Sequence, residues 1–274
     1  MRSLRGKVVV VTGAGSGIGR ALALTCAARG AQLALSDVDE AGLAETARLV
    51  TVTGAPTPRT DALDVADRAA VTDYAEAVVT HFGRVNVLVN NAGVSLTGDL
   101  VDLDYDDIDW IVGVNLWGVI HGTKAFLPHL IASGEGHVVN LSSLFGLISM
   151  PSQSMYNATK YAVRGLTEAL REEMLVAGHP VGVTAVHPGG IKTAIARNGR
   201  FADPSERDES VERFDTTMAR MTPERAAEII VRGIERNRPR VLVGADAHAL
   251  HHLAKWTGAR YQDVVARAAR RARP

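Results

Sequence analysis

The chain has 274 residues, 46% of them hydrophobic and 5% aromatic, with 30 basic and 30 acidic side chains. That supplies a full core for one α/β domain or two smaller ones, while zero net charge and few rings offer nothing for nucleic acid. The lone cysteine, Cys26, excludes an internal disulfide and a cysteine-rich zinc site.

Residues 1–7 are basic but lack the apolar core of a secretory signal, and no apolar run approaches the ~20 residues of a membrane span. A soluble, cytoplasmic protein is expected. Residues 7–12 (KVVVVT) are a continuous β-branched run, the pattern of a strand buried on both faces of a parallel sheet. It leads into Thr12-Gly13-Ala14-Gly15-Ser16-Gly17-Ile18-Gly19 and an Ala- and Leu-rich helix over 20–29, where Cys26 reads as a small buried residue. Strand, glycine turn and helix together aim free backbone N–H groups at a pyrophosphate. The other reading is a turn made glycine-rich for tight packing. A second strand, 32–36, ends at Asp37, about 20 residues past the turn, where a carboxylate can accept hydrogen bonds from both hydroxyls of an adenosine ribose.

A helix over 40–53 and a loop with Pro56 and Pro58 precede a short third strand closing on Leu63-Asp64-Val65. Val71, Tyr74, Ala75, Val78, Val79 and Phe82 then recur at helical spacing until Gly83 stops the helix. The fourth strand, 85–89, opens onto Asn90-Asn91-Ala92-Gly93, small residues that let the backbone approach a flat ligand. The helix predicted over 106–130 contains Asn115, an amide poorly placed among apolar neighbours unless something hydrogen-bonds it.

The fifth strand, 137–141, ends at Ser142-Ser143; an apolar loop over 144–155 then enters the helix bearing Tyr156-Asn157-Ala158-Thr159-Lys160. Tyr156 and Lys160 stand four apart, on one helix face. A phenol with a pKa of about 10 is no base at neutral pH. An ammonium roughly 5 Å away, at an effective dielectric near 20, attracts its anion by about 3 kcal/mol, equivalent to about two pKa units. Taken alone, Tyr-x-x-x-Lys also describes an ordinary surface pair. The sixth strand, 181–186, closes on His187-Pro188-Gly189-Gly190-Ile191-Lys192-Thr193. Strands alternating with helices make a doubly wound parallel sheet with its ligand at the carboxyl ends of the strands. Every motif named lies at such an end, which decides for a reactive Tyr156.

Asp203-Pro204-Ser205-Glu206 reads as a helix start, followed by an apolar stripe at Val211, Phe214, Met218 and Met221. Thr222-Pro223-Glu224 starts another helix, and 240–244 is a seventh strand. One domain over 1–245 with a helical extension over 246–274 is therefore expected. In the extension, Tyr261, Val264, Val265 and Ala268 share a helix face, while Arg260, Arg267, Arg270, Arg271 and Arg273 are opposed only by Asp263. Such a helix packs on its own domain or a neighbouring subunit, or lies on an anionic membrane surface. Docking on protein, arginines outward, is the expected outcome, since the stripe would otherwise expose apolar surface. His248, His251 and His252 lack a carboxylate or thiol partner set, so no metal is expected.

TGAGSGIG, NNAG, Asn115, Ser143, YNATK and PGGIKT, in that order over residues 5–244, resemble the short-chain dehydrogenase/reductase family. The resemblance implies a single Rossmann-type domain with a seven-stranded parallel sheet, and hydride transfer between NAD(P) and a secondary alcohol or ketone. Tyr156 then looks like the acid/base and Ser143 like the hydroxyl holding the substrate oxygen. Lys160 would lower the tyrosine pKa and bind the nicotinamide ribose, and Asn115 would hold a water linking Lys160 to solvent. Gly13, Ser16, Gly17, Ile18, Gly19, Asp37, Asp64, Val65, Asn91, Ala92, Gly93, Pro188, Gly189, Ile191 and Thr193 match cofactor-contacting positions, with Tyr156 and Lys160. Phe145 and Met150, beside Ser143 and Tyr156, are the substrate-side candidates. The family pattern also implies a lid over 194–222 and a homodimer or homotetramer, with Trp110, Trp117 and Leu166 as candidates for its interface.

Asp37, with Ser16 and Val38 where NADP-preferring relatives carry a base, favours NAD over NADP. Leu144, Phe145, Leu147, Ile148, Met150 and Met155 suggest an apolar pocket, hence a lipid-, steroid- or terpenoid-like alcohol. The alternatives are a 3-oxoacyl/3-hydroxyacyl thioester reductase-dehydrogenase and a non-catalytic NAD-binding sensor. The acyl-carrier-protein reductases usually favour NADPH and lack such a tail. Loss of Ser143, Tyr156 or Lys160 would favour the sensor, and none is lost.

Overall fold

The computed structural model describes residues 1–272. Strand β1 (Val8–Thr12) is buried throughout, and its period of two divides its valines between the faces of the sheet. Val9 and Val11 join Leu22 and Cys26 of helix α1 (Gly17–Ala27), while Val8 and Val10 belong to the opposite layer. The first half continues through β2 (Gln32–Asp37), α2 (Glu40–Val52), β3 (Arg59–Ala62) and α3 (Arg68–Phe82). The second runs through β4 (Val87–Asn90), a two-residue β5 (Leu96–Thr97), α4 (Tyr105–Val112), α5 (Gly118–Ala132), β6 (Gly136–Leu141), α6 (Ser154–Val176) and β7 (Val181–Pro188). After it come β8 (Arg200–Phe201), α7 (Arg207–Arg213), α8 (Pro223–Glu235), β9 (Arg240–Val243), α9 (Ala245–Thr257) and α10 (Tyr261–Ala272).

The main sheet has the order β3-β2-β1-β4-β6-β7-β9, all parallel, which is the doubly wound seven-stranded sheet expected. Strand order reverses between β1 and β4, so the crevice opens where the glycine turn after β1 meets Asn90-Asn91 after β4. Helices α1, α2 and α8 cover one face through Leu43, Val50, Ile230 and Ile234. Helices α3, α5 and α6 cover the other through Val78, Phe126, Leu130 and Leu170. Burial pushes the Cys26 thiol up to about 12, as for a packing residue. Beneath the crevice, Asn90 donates to Asn140 Oδ1 (2.8 Å) and Thr123 (3.0 Å), and Asn140 donates to Thr167 (3.0 Å), a satisfied polar network joining β4, β6, α5 and α6.

Three segments differ from their sequence reading. The third strand ends at Ala62: Leu63 N–H still reaches the Asp37 carbonyl (3.0 Å), but Asp64 then turns to accept from Ala66 N–H (2.9 Å). The helix expected over 106–130 is broken by a π turn at Gly113–Trp117, where the Asn115 side chain exchanges two hydrogen bonds with the main chain of Val94 (2.8 and 2.9 Å). The helix started at Asp203 runs as a 3-10 turn (Pro204–Glu206), α7 and a π turn (Phe214–Met218), behind a second sheet formed by β5 and β8.

The tail is two helices docked on the domain. Leu250 and Ala254 of α9 and Tyr261 and Val265 of α10 pack against Leu144, Phe145 and Ile148. The buried row differs from the expected stripe: Tyr261 and Val265 face the domain, whereas Val264 is 51% exposed and Ala268 is open to solvent. An α-helix repeats every 3.6 residues, so residues at i and i+4 share the covered row and i+3 falls at its edge. Arg260, Arg267 and Arg270 are exposed; Arg273 and the side chain of Arg271 lie outside the described residues.

Candidate active site

The glycine turn is shaped for a phosphate group. Gly13 has φ +66°, and a Cβ on it would sit 2.7 Å from the Ala92 Cα across the crevice, so only glycine fits. The first turn of α1 has no side-chain cap: Ser16 is exposed and its hydroxyl makes no capping bond, which leaves N–H groups and the helix dipole for an anion. Thr193, from the loop after β7, closes the opposite wall, its methyl 3.0 Å from where a Cβ on Gly17 would be. Ile191 of that loop is buried and Pro188 ends β7.

Asp37 ends β2 at the crevice rim, one carboxylate oxygen accepting from Gly15 N–H (2.7 Å) and the other from Asp39 N–H (2.9 Å). Each oxygen keeps a lone pair for a hydroxyl donor. Arg20 of α1 donates from Nε to Thr46 (2.9 Å) and from Nη2 to the carbonyls of Gly42 (3.1 Å) and Gly15. Val38 is 69% exposed and uncharged. Asn91 braces the turn instead of pointing away from it: its amide donates to the carbonyls of Thr12 (2.9 Å) and Gly13 (3.0 Å). Ala92 and Gly93 line the crevice beside it, and Asp64 and Val65 follow β3, Val65 buried and its carbonyl accepting from His121 (3.2 Å). These groups fit a dinucleotide: uncapped N–H groups at one end, a paired-hydroxyl acceptor at the other.

Ser143, Tyr156, Lys160 and Asn115 come together at the floor. The Ser143 oxygen accepts from Phe145 N–H (3.1 Å), which leaves its hydrogen to donate, and its hydroxyl neighbours the Tyr156 phenol. Lys160 Nζ lies 5.6 Å from the Tyr156 ring centroid and donates to the Leu141 carbonyl (3.2 Å). A Cβ on Gly93 would be 3.3 Å from both Lys160 Nζ and Asn115 Oδ1, so the two side chains flank one point. The two bonds to Val94 take one lone pair and one hydrogen of the Asn115 amide, which leaves Oδ1 a second lone pair on the side of Lys160.

Burial pushes the Tyr156 phenol above its ordinary value, the Ser143 hydroxyl opposing, and pulls Lys160 down to about 8. The lowering of Tyr156 expected from Lys160 is not found: burial dominates at the phenol, opposed by the Ser143 hydroxyl. Around the phenol stand Leu96, Ile111, Val94, Leu103, Trp110 and Phe145. The Phe145 ring meets Tyr156 edge-on at 6.1 Å, while Met150 is half-buried and offers its carbonyl to Asn157 (3.0 Å). Trp110, a candidate for a subunit interface, is half-buried in this cluster with the Arg200 guanidinium 4.1 Å from its centroid; Trp117 stays 51% exposed. Of the apolar stripe in the segment expected to be a lid, none of Val211, Phe214, Met218 and Met221 is fully buried.

Two contributors escaped the sequence reading. Asp246 accepts from Gly190 N–H (2.7 Å) and so fixes the loop carrying Ile191 and Thr193; only its place in the first turn of a helix after a strand hinted at this. Gln153 donates to Thr97 (2.8 Å), tying the entrance of α6 to β5, and nothing local signals that.

Behind the site, His187 Nδ1–H donates to the Ser143 carbonyl (2.9 Å) and His137 Nε2–H to Thr184 (2.8 Å), whose own hydrogen goes to the Arg238 carbonyl. Burial depresses both imidazoles, His137 to about 3 and His187 to about 4. Unfolded imidazoles titrate near 6.5, so below that pH the unfolded chain binds two protons that the native chain refuses, and stability falls as pH falls. Urea denaturation between neutral pH and about pH 4.5 should show a decline that steepens to about 2.7 kcal/mol per pH unit. A free energy of unfolding unchanged down to about pH 5 would contradict it.

The model of the short chain dehydrogenase family matches residues 7–203. A Mycobacterium tuberculosis protein named as an oxidoreductase, SadH, is 56% identical over 266 residues, which cover 97% of this chain and 96% of the relative. A Burkholderia phymatum short chain dehydrogenase/reductase solved in complex with NAD superposes with a TM-score of 0.87 at 33% identity, over 94% of this chain and 95% of that one. The 3-ketoacyl-(acyl-carrier-protein) reductase of Brucella melitensis, solved with NADH, gives 0.74 at 29% identity, over 88% and 96%. Sequence motifs, sheet order and site geometry converge with these similarities: the chain belongs to the short-chain dehydrogenase/reductase family of oxidoreductases.

Proposed function

We propose that the protein is an NAD-dependent oxidoreductase acting on an apolar secondary alcohol or the corresponding ketone. The observation that carries this is the buried grouping of Ser143, Tyr156 and Lys160 beside an apolar cluster at the crevice floor. The uncapped N–H groups of α1 would hold the pyrophosphate, Asp37 the adenosine ribose, and Lys160 the nicotinamide ribose. Bound NAD supplies the hydride acceptor, or in its reduced form the donor.

In this reading Ser143, its hydrogen left free by the Phe145 N–H bond, donates to the substrate oxygen and orients it. Tyr156, kept protonated by burial, gives its proton to a ketone oxygen as negative charge develops there; in oxidation the same phenol oxygen takes the proton back. Lys160 offsets the charge left on the phenol, and half-buried Phe145, backed by the Leu96 and Ile111 core, presents the apolar wall that selects apolar substituents. Residues 194–222, with their open apolar stripe, act as the lid. Exposed Trp117 supports assembly into a dimer or tetramer.

The test is a panel of secondary alcohols and ketones graded in bulk and polarity, with a 3-oxoacyl thioester included, followed by nicotinamide absorbance. Highest kcat/KM with bulky apolar alcohols is expected. Activity confined to the thioester would replace the substrate assignment, and NAD binding without turnover of any compound would replace the enzyme by a sensor.

A further inference from the structure

Twelve residues separate Ser143 from Tyr156, and their conformation sets how these two side chains meet a substrate. Little regular structure holds this segment: one 3-10 turn (Leu144–Gly146), then irregular backbone that includes Ser152 at φ +60°. It is pinned from outside. At its far end Ser152 donates to Asp99 (2.7 Å) and Asn157 holds the Met150 carbonyl (3.0 Å). Midway, the Tyr261 hydroxyl accepts from Ser149 N–H (3.0 Å) and lies 2.9 Å from Ser149 Oγ. Tyr261 belongs to α10, 112 residues away in sequence, yet it is 8% exposed and packed on Leu144 and Ile148. Phe145 touches this tail cluster on one side and the Tyr156 cluster on the other.

We propose that Tyr261 is a positioning residue for substrate: the tail, through the Tyr261–Ser149 hydrogen bonds, fixes the segment that carries Phe145 and so sets the apolar wall of the substrate pocket. The proposal rests on the oxidoreductase reading above. It gives the extension a task beyond stability, and it makes substrate recognition depend on a helix outside the region matched to the family model.

The full-length chain carrying Tyr261→Phe loses one hydroxyl and keeps the ring in its apolar seat. The two bonds to Ser149 and the contact with the Tyr161 hydroxyl then disappear, so KM for the best apolar substrate should rise about fivefold to tenfold, with kcat and NADH affinity near wild type. Amide exchange at Ser149 should quicken by a similar factor, a readout that needs no turnover. Ser149→Ala should raise KM in the same direction, and the double variant should fall short of the product of the singles. Val265→Ala removes tail packing but no hydrogen bond; it should lower the melting temperature without moving KM. An active enzyme whose KM is unmoved by Tyr261→Phe, or moved equally by Val265→Ala, would overturn the proposal. A wild-type protein that turns over nothing would instead overturn the oxidoreductase reading.

Discussion

Tyr156→Phe will leave a folded protein that binds NAD and has lost turnover by at least about a thousandfold, the combined scale of a removed general acid and a removed oxyanion donor. The expectation follows from how little else the substitution touches. Tyr156 is buried, with its ring against Phe145 and in the Leu96/Ile111 cluster, and phenylalanine keeps all of that area. Only the hydroxyl goes, and its hydrogen-bonding neighbour Ser143 retains the Phe145 N–H bond that orients it. The glycine turn and Asp37 are remote from the change, so fluorescence titration with NADH should give a Kd near wild type. Turnover within tenfold of wild type would remove Tyr156 from the acid/base role. Lost NADH affinity would make it a binding residue instead.

The second large effect is cofactor choice. Asp37 holds two backbone N–H groups at the crevice rim, where the proposed adenosine ribose would lie, while Ser16 and Val38 bring no charge and Arg20 Nε and Nη2 are bound to Thr46, Gly42 and Gly15. A dianionic 2′-phosphate about 5 Å from that carboxylate would be repelled by roughly 6 kcal/mol at an effective dielectric near 20, before salt screening. Screening leaves a preference for NAD over NADP on the order of a hundredfold in kcat/KM. Asp37→Asn keeps an acceptor and removes the charge, so it should recover much of the activity with NADP while weakening NAD modestly. Asp37→Ala should admit NADP further, since it also frees the Gly15 N–H. Equal efficiency with both cofactors in the wild type would show that the acidic rim does not select.

Much of this was legible because it is local. The β-branched run of β1 and the glycine spacing after it place a strand, a tight turn and an uncapped helix in succession, and each follows from backbone sterics and burial within about twenty residues. Four-residue spacing likewise placed Tyr156 and Lys160 on one face. What escaped depends on distant partners. The π turn at Asn115 exists because Val94, 21 residues away, takes both ends of its amide. The Tyr261–Ser149 bond spans 112 residues, and the covered row of α10 was misjudged by one position because an edge alanine and valine are apolar wherever they face. The direction of the Tyr156 shift is hidden for another reason: the sequence shows that Lys160 stands four residues from Tyr156, but not that both are desolvated, and burial is the largest influence on each.

In the proposed reaction the crevice passes a hydride between a carbinol carbon and a nicotinamide while Tyr156 handles the proton. Incubation with NAD and an apolar secondary alcohol carrying deuterium only at its carbinol carbon, followed by mass spectrometry of the recovered cofactor, tests this directly. One deuterium should appear in each reduced nicotinamide formed, and none when Tyr156→Phe replaces the wild type. Deuterium released to water, or a cofactor recovered unlabelled and unreduced with every alcohol that binds, would contradict the account.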